Sequence, residues 1–249
     1  MKILGCDYDG TLNHGGFGEE KVAALRAWRA CGNKLGVVSG RGLRMLPIIE
    51  KECGLSLDFF VACNGAVIYN AEVEGLHEMA FTAVDPTALV EDLFTFGCTE
   101  AHVNSDRYYL IRKNAADCGN GEYALQDVKL PVWTYQVSVE LSTEGDAARI
   151  VEQLERKYGH ILSSLQNGRC VDIVAKGVGK AAGMKRVQEQ FNARWEDVLV
   201  VGDNLNDVDM LQAFTSYAME NGVEDVKKIA TYTTKSVTEL ILRELKGFS

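Results

Sequence analysis

Asp7 and Asp9 stand two positions apart in the run Asp7-Tyr8-Asp9-Gly10-Thr11-Leu12. They follow Lys2-Ile3-Leu4-Gly5-Cys6, a short and mostly apolar stretch that reads as a buried strand. Carboxylates two apart on a strand point to one side. Where the chain leaves the sheet at Gly10, both can reach a crevice at the carboxyl edge. Two like charges placed there need a cation or a proton between them. A paired carboxylate of this kind can serve as nucleophile, as general acid and base, or as a ligand for a hard cation. Alone, the same residues could be a strand end followed by a solvated Asp-Gly turn.

Three further segments share this placement. Leu35-Gly36-Val37-Val38 runs into Ser39-Gly40-Arg41, a buried strand ending in a small hydroxyl and a glycine. Lys180 lies in Lys176-Gly177-Val178-Gly179-Lys180-Ala181-Ala182, just inside an expected helix start. Val198-Leu199-Val200-Val201 leads into Gly202-Asp203-Asn204-Leu205-Asn206-Asp207. Singly, Ser-Gly-Arg is common, a lysine at a helix start is usually solvated, and Asp203 and Asp207 suit a helix N-terminus. In this order, all at strand ends or helix starts, they converge on one crevice of an open parallel sheet.

The set resembles the haloacid dehalogenase (HAD) superfamily of phosphoryl-transfer enzymes, and within it the Cof-type or IIB branch of sugar-phosphate-like phosphatases. Asp7 and Asp9 match its first motif, Ser39 the second, Lys180 the third, and Asp203 with Asp207 the fourth. Asn64-Gly65-Ala66 after Phe59-Phe60-Val61-Ala62-Cys63 also resembles that branch, as does the Lys-Gly-Val-x-Lys pattern. Two departures stand out. Ala181 follows the lysine where the branch often has glycine, and Tyr232–Val237 lacks its usual Asn-acidic-Gly turn.

The resemblance implies an α/β fold: a Rossmann-like, mostly parallel sheet with helices on both faces, plus an inserted α+β cap. The expected elements agree. Strands are read at 2–7, 35–39, 59–63, 198–202 and near 216–219, with helices at 19–31, 42–53, 179–191, 206–214, 223–229 and 237–246. Pro47 predicts a short first turn or kink in the second helix. A hairpin is expected at 66–69 and 76–81 around a turn from Asn70 to Gly75. From about residue 83 the pattern changes to a helix opened by Asp85-Pro86, strands at 99–104, 107–112 and 133–141, a helix at 145–158, and strands near 160–165 and 169–174. The expected division is therefore 1–82 with 168–249 as catalytic core, and 83–167 as a cap that sets specificity. Arg112, Lys113 and Asn114 are its candidate substrate contacts, and the small, polar stretch from Asn114 to Gly121 is either a mobile loop or simple surface.

The chemistry implied is Mg²⁺-dependent hydrolysis of a small phosphate monoester, a sugar phosphate or similar metabolite. An anionic ester resists an anionic nucleophile, so attack by Asp7 needs charge compensation. Mg²⁺ held by Asp7, the backbone carbonyl of Asp9 and Asp203 would supply it, with Asp207 or Asn206 holding its waters or orienting Lys180. Asp7 would form an aspartyl-phosphate, with Asp9 as acid and then base. That role predicts a raised Asp9 pKa from partial burial. Ser39 and backbone amides near Tyr8, Gly10 and Gly40 would hold phosphoryl oxygens, and Lys180 would offset charge. Arg41 is either a further substrate contact or a surface ion-pair partner, and Asn64 is a further candidate contact. A phosphomutase of the same branch and a catalytically idle binding protein on this scaffold are the competing readings.

Composition fits these expectations. The 249 residues carry 26 basic and 35 acidic side chains, a net charge of −9, which argues against nucleic acid and anionic membrane as partners. No basic-then-apolar leader and no apolar run near the roughly 20 residues of a membrane span is found. The seven cysteines are scattered without a CxxC pair, which fits a reducing cytoplasm. Cys118 and Cys170 lack a positioned base for thiol catalysis. His14, His77, His102 and His160 have no metal-ligand spacing.

Overall fold

The computed structural model describes residues 1–72 and 75–247. The chain divides into two compact units, Met1–His77 with Gly179–Ser249, and Glu78–Val178.

The first unit is built on β1 (Ile3–Asp7), β2 (Lys34–Val38), β3 (Phe59–Ala62), β4 (Val67–Asn70), β5 (Gly75–Glu78), β12 (Val198–Gly202), β13 (Thr215–Met219) and β14 (Tyr232–Thr234). They form one sheet in the order β14-β13-β12-β1-β2-β3-β4-β5. Every pairing from β14 to β3 is parallel, and β4 returns antiparallel to β3. All five residues of β1 and of β12 are buried, as strands covered on both faces must be. One face carries α5 (Lys180–Gln190), α6 (Val208–Ala213) and α7 (Glu224–Ile229), whose Met184, Val187, Met210, Leu211 and Val226 pack with Ile3, Phe59, Val61 and Val200. On β2 and its neighbours, α1 (Glu19–Ala30) packs beside α8 (Val237–Lys246), burying Leu25, Trp28, Leu240 and Ile241. Pro47 sits in the first turn of α2 (Leu46–Cys53), which a separate 3₁₀ turn, Leu43–Met45, precedes. The expected turn from Asn70 to Gly75 lies partly outside the described residues.

The second unit is a six-stranded sheet backed by two helices. Its strands are β6 (Glu100–Asn104), β7 (Tyr108–Arg112), β8 (Tyr123–Ala124), β9 (Gln136–Glu140), β10 (Leu162–Asn167) and β11 (Cys170–Ala175), in the order β10-β11-β9-β6-β7-β8. All pairings are antiparallel except β7 with β8. Alternate residues of β6 and β7 are buried. They meet the apolar faces of α3 (Pro86–Thr95) and α4 (Glu144–Tyr158), the latter through Ala147, Ile150, Leu154 and Tyr158. Asp85 caps α3 by accepting from the Thr87 amide at 2.9 Å, as Asp85-Pro86 predicts.

The unit boundary corrects one expectation. Residues 78–82 and 168–178 were expected in the core, but the second unit begins at Glu78, and β11 pairs with β10 and β9, so the chain leaves it only at Val178. Strand pairing outweighs proximity to the Lys180 motif. Two short strands, β8 and β14, were not read from the sequence. Among the described residues, no helix is long and apolar enough to cross a membrane.

Candidate active site

Connections from β1 proceed toward β2 on one side, while β12 flanks it on the other. The strand order thus reverses at β1 and β12, and their carboxyl ends open a crevice between diverging loops. Asp7 is the last residue of β1, and Asp203 follows the last residue of β12. Lys180 is the first residue of α5 and Asp207 closes the 3₁₀ turn Leu205–Asp207.

These four meet. The buried Lys180 ammonium donates to Asp7 Oδ1 and to Asp207 Oδ1, both at 2.6 Å. Asp207 is itself fixed, because its Oδ2 accepts the amides of Asp203 at 3.0 Å and Asn204 at 3.1 Å. With both oxygens engaged, Asp207 is an orienting group for Lys180 and for the Asp203 turn. Carboxylate oxygens of Asp7, Asp203 and Asp207 lie within 4.8 Å of one another. Thr11 Oγ1 donates to Asp203 Oδ1 at 2.6 Å.

The electrostatics follow from three buried or half-buried carboxylates and one ammonium. Burial, then the charge of Asp207, holds Asp7 well above the usual carboxylate range despite Lys180. Burial also raises Asp203, against the hydrogen bond from Thr11. Burial alone would lower Lys180, but the charges of Asp207 and Asp7 override it and keep the ammonium protonated. The cluster holds more negative than positive charge in little water, and its donors are all oxygen. That donor set fits a hard divalent cation at Asp7 and Asp203.

The loop after β1 is tied down at several points. Gly10 has φ +81°, and a Cβ on it would lie 2.4 Å from Asp203 Oδ2. Its amide donates to Asn13 Oδ1 at 2.9 Å, which removes it from the amides expected to hold phosphoryl oxygens. Its carbonyl accepts from Asn221 Nδ2 at 2.9 Å. Lys21 donates to the carbonyls of Leu12 at 2.8 Å and His14 at 2.7 Å.

Asp9 departs from expectation. Its side chain is 49% exposed, so the anticipated burial is absent. It receives two parallel bonds from Arg41, Nε to Oδ2 at 2.6 Å and Nη2 to Oδ1 at 2.8 Å. Its carboxylate is outside the Asp7–Asp203–Asp207 group, leaving only its backbone carbonyl for a metal. Ser39, just past β2, is buried, and its Oγ accepts the Arg41 amide at 3.1 Å, leaving the hydroxyl proton to donate. Gly40 lies in the same turn.

Asn64 is fully buried and supports the Ser39 turn: its backbone amide donates to the Ser39 carbonyl at 3.0 Å. Gly65, at φ +104°, lets this turn approach α5, since a Cβ there would lie 2.4 Å from the Gly179 carbonyl oxygen. The Asn64-Gly65 motif thus sets the start of the Lys180 helix. Asn206 Oδ1 is buried and makes no hydrogen bond. In the second unit, Arg112 is bound to Glu100 and Glu122, Lys113 donates to the Phe94 carbonyl at 2.8 Å, and Asn114 donates to Asp117 at 2.9 Å. The seven cysteines are unbridged, and burial pushes up the thiols of Cys6, Cys53, Cys98 and Cys170, the opposite of an activated nucleophile.

Thr11, Asn13, Asn221 and Gly222, where a Cβ would lie 2.7 Å from the Asp203 carbonyl oxygen, went unread as site residues. The signal for the last pair was available: Asn221-Gly222 follows the end of β13, a strand end beside β12.

The sheet reverses order over a lysine-bridged aspartate cluster, and comparison with known proteins assigns the chain to a family. Residues 4–240 match the family described as haloacid dehalogenase-like hydrolase, and the chain belongs to that family. The chain is 24% identical over 242 residues, 96% of its length and 92% of the relative's, to the 5-amino-6-(5-phospho-D-ribitylamino)uracil phosphatase YcsE of Bacillus subtilis. It is 26% identical over 252 residues, 95% and 91% of the two chains, to the phosphatase YbjI of Escherichia coli, named for the same substrate. A haloacid dehalogenase-like hydrolase of B. subtilis superposes with a TM-score of 0.79 at 19% identity over 98% of this chain and 99% of that one. A HAD subclass IIB sugar phosphatase superposes with a TM-score of 0.74 at 18% identity, over 97% and 98%. The haloacid dehalogenase resemblance read from the motifs holds, and the chain is a hydrolase of that family, with curated relatives named as phosphatases.

Proposed function

We propose that the protein hydrolyses a small phosphate monoester, a sugar or polyol phosphate, with Mg²⁺ and through an aspartyl-phosphate on Asp7. The observation that carries this reading is the buried Lys180 ammonium between Asp7 and Asp207, with Asp203 alongside. Named relatives add weight on the substrate side, because a ribityl 5-phosphate is a polyol phosphate monoester.

A carboxylate oxygen of Asp7 attacks phosphorus, and the bond from phosphorus to the leaving oxygen breaks. Asp9, protonated on the oxygen that Arg41 gives up, passes that proton to the leaving oxygen, then as carboxylate takes a proton from the water that attacks the phosphoenzyme. The bond between phosphorus and Asp7 breaks, returning the carboxylate and inorganic phosphate. Lys180 offsets charge on Asp7 and the phosphoryl group, and Ser39 donates its hydroxyl proton to a phosphoryl oxygen. Mg²⁺ held by Asp7, Asp203 and the Asp9 carbonyl would supply the remaining positive charge. Glu78–Val178 is the cap, and its side chains select among phosphorylated metabolites.

Phosphate release from a panel of phosphorylated sugars, polyols and small acids tests this reading, with Mg²⁺, with chelator, and with Asp7→Asn. Metal-dependent release lost in Asp7→Asn is expected. Release that persists in Asp7→Asn, or isomerised sugar phosphate appearing only with a bisphosphate activator, overturns it.

A further inference from the structure

Arg41 carries more built structure than a surface ion pair or an incidental substrate contact requires. Its backbone is pinned on both sides, by its amide on Ser39 Oγ at 3.1 Å and by its carbonyl, which accepts from the Cys63 amide at 2.9 Å. Its guanidinium lies over the Tyr8 ring, 5.4 Å from the centroid. Tyr8 is buried in turn, with its hydroxyl bonded to Glu52. From that seat the guanidinium meets Asp9 with two parallel bonds, a geometry that fixes the plane of a carboxylate as a lysine ammonium cannot. Asn13 adds a third, longer contact at 3.4 Å to Asp9 Oδ1. The side chain being held is neither buried nor packed, so its orientation depends on these contacts.

Resting on the hydrolase reading above, we propose that Arg41 is a positioning residue that acts through Asp9 and does not bind the phosphoryl group. It fixes the carboxylate that exchanges protons with the leaving oxygen and the attacking water. During turnover one of the two bonds is given up to the reacting oxygen, and the other keeps the carboxylate in place. The Arg41 guanidinium bonds to Asp9 and Lys180 to Asp7 and Asp207, which separates the two roles.

The leaving group provides the test. An alkyl phosphate needs a proton on its leaving oxygen, whereas p-nitrophenolate departs without one. Arg41→Gln is expected to lower kcat on a sugar phosphate by about tenfold or more, with KM changed less than about threefold. With p-nitrophenyl phosphate, the first-turnover burst of nitrophenolate should stay within about threefold of wild type while steady turnover slows. Adding Arg41→Gln to Asp9→Asn should cost less than about a further twofold, because the group it positions is already gone. Arg41→Lys, which keeps charge but not the two-bond fork, should follow Arg41→Gln.

A KM raised about tenfold on both substrates, with the burst slowed, would make Arg41 a phosphate contact and overturn the assignment. Additive losses in the Asp9→Asn background, full rescue by lysine, or unchanged sugar-phosphate kinetics would overturn it as well. A wild type that releases phosphate from neither substrate removes the hydrolase reading itself, and Arg41's role falls with it. An active wild type beside an unaffected Arg41→Gln removes only the positioning role.

Discussion

Gly10 and Asp203 are in steric contact across the crevice: a Cβ on Gly10 would stand 2.4 Å from Asp203 Oδ2. The glycine also holds φ at +81°, which costs an L side chain about 1–2 kcal/mol. Gly10→Ala is therefore expected to displace the Asp203 carboxylate as well as strain the loop. Phosphate release should fall by more than about tenfold, while the melting temperature drops only by the few degrees that about 1–2 kcal/mol implies. An alanine variant with unchanged turnover would show that the Asp203 position is not critical.

Thr11 tests the same carboxylate from its other side. Thr11→Val keeps the shape and removes the donor that lies 2.6 Å from Asp203 Oδ1. Removing a hydrogen bond to a metal-ligating group typically weakens the metal by about 10–100-fold. The Mg²⁺ concentration giving half-maximal activity should rise by about that factor, with saturated turnover largely kept. An unchanged Mg²⁺ titration would count against Asp203 as a ligand.

Lys180→Met removes the only ammonium bonded to Asp7 and Asp207 among the described residues. Breaking a buried ion pair by deleting one partner costs about 3–5 kcal/mol, since the remaining charges stay buried. Activity should be lost and chemical denaturation should shift to lower denaturant by that amount. A variant as stable as wild type would mean the cluster takes up protons or cations in place of the lysine, which a proton count on unfolding would reveal.

The metal-free protein should lose stability as pH rises. Burial raises Asp7 and Asp203 above the ordinary carboxylate value of about 4, so the folded state binds more protons than the unfolded chain. Their contribution is complete below that value and disappears as pH climbs through the raised ones. A divalent cation replaces those protons, stabilising by about 2.7 kcal/mol at a hundredfold excess over Kd. The gain in melting temperature on adding Mg²⁺ to chelator-stripped protein should thus be larger at about pH 7.5 than at about pH 5. Equal gains at both values would place the cation away from these carboxylates.

How much was legible depends on whether the signal was local. Asp7, Ser39, Lys180, Asp203 and Asp207 each close a buried strand or open a helix, and such periodicity is readable within a few residues. The bonds that Asp9 makes to Arg41 link positions on two separate loops, and no spacing rule reports them. The same limit hid Thr11 against Asp203 and Asn221 against Gly10, which sequence separates by most of the chain. β14 has three residues and pairs only with β13 at a sheet edge, too little to show an alternating pattern. β11 alternates from Cys170 to Ile173, with Val171 and Ile173 buried before Val174 breaks the pattern, and such half-burial belongs to an antiparallel sheet. Weighing it would have placed the boundary after the strand.

The pairing of Ile3 with Val198 also governs how the protein is made. Strand β1 precedes the whole second unit in the chain, whereas β12, one of its two neighbours, follows it. Until β12 is made, β1 presents an open row of amides and carbonyls, the kind of edge that recruits stray strands. The aspartate cluster, with Asp7 ending β1 and Asp203 following β12, cannot assemble before β12 has been made.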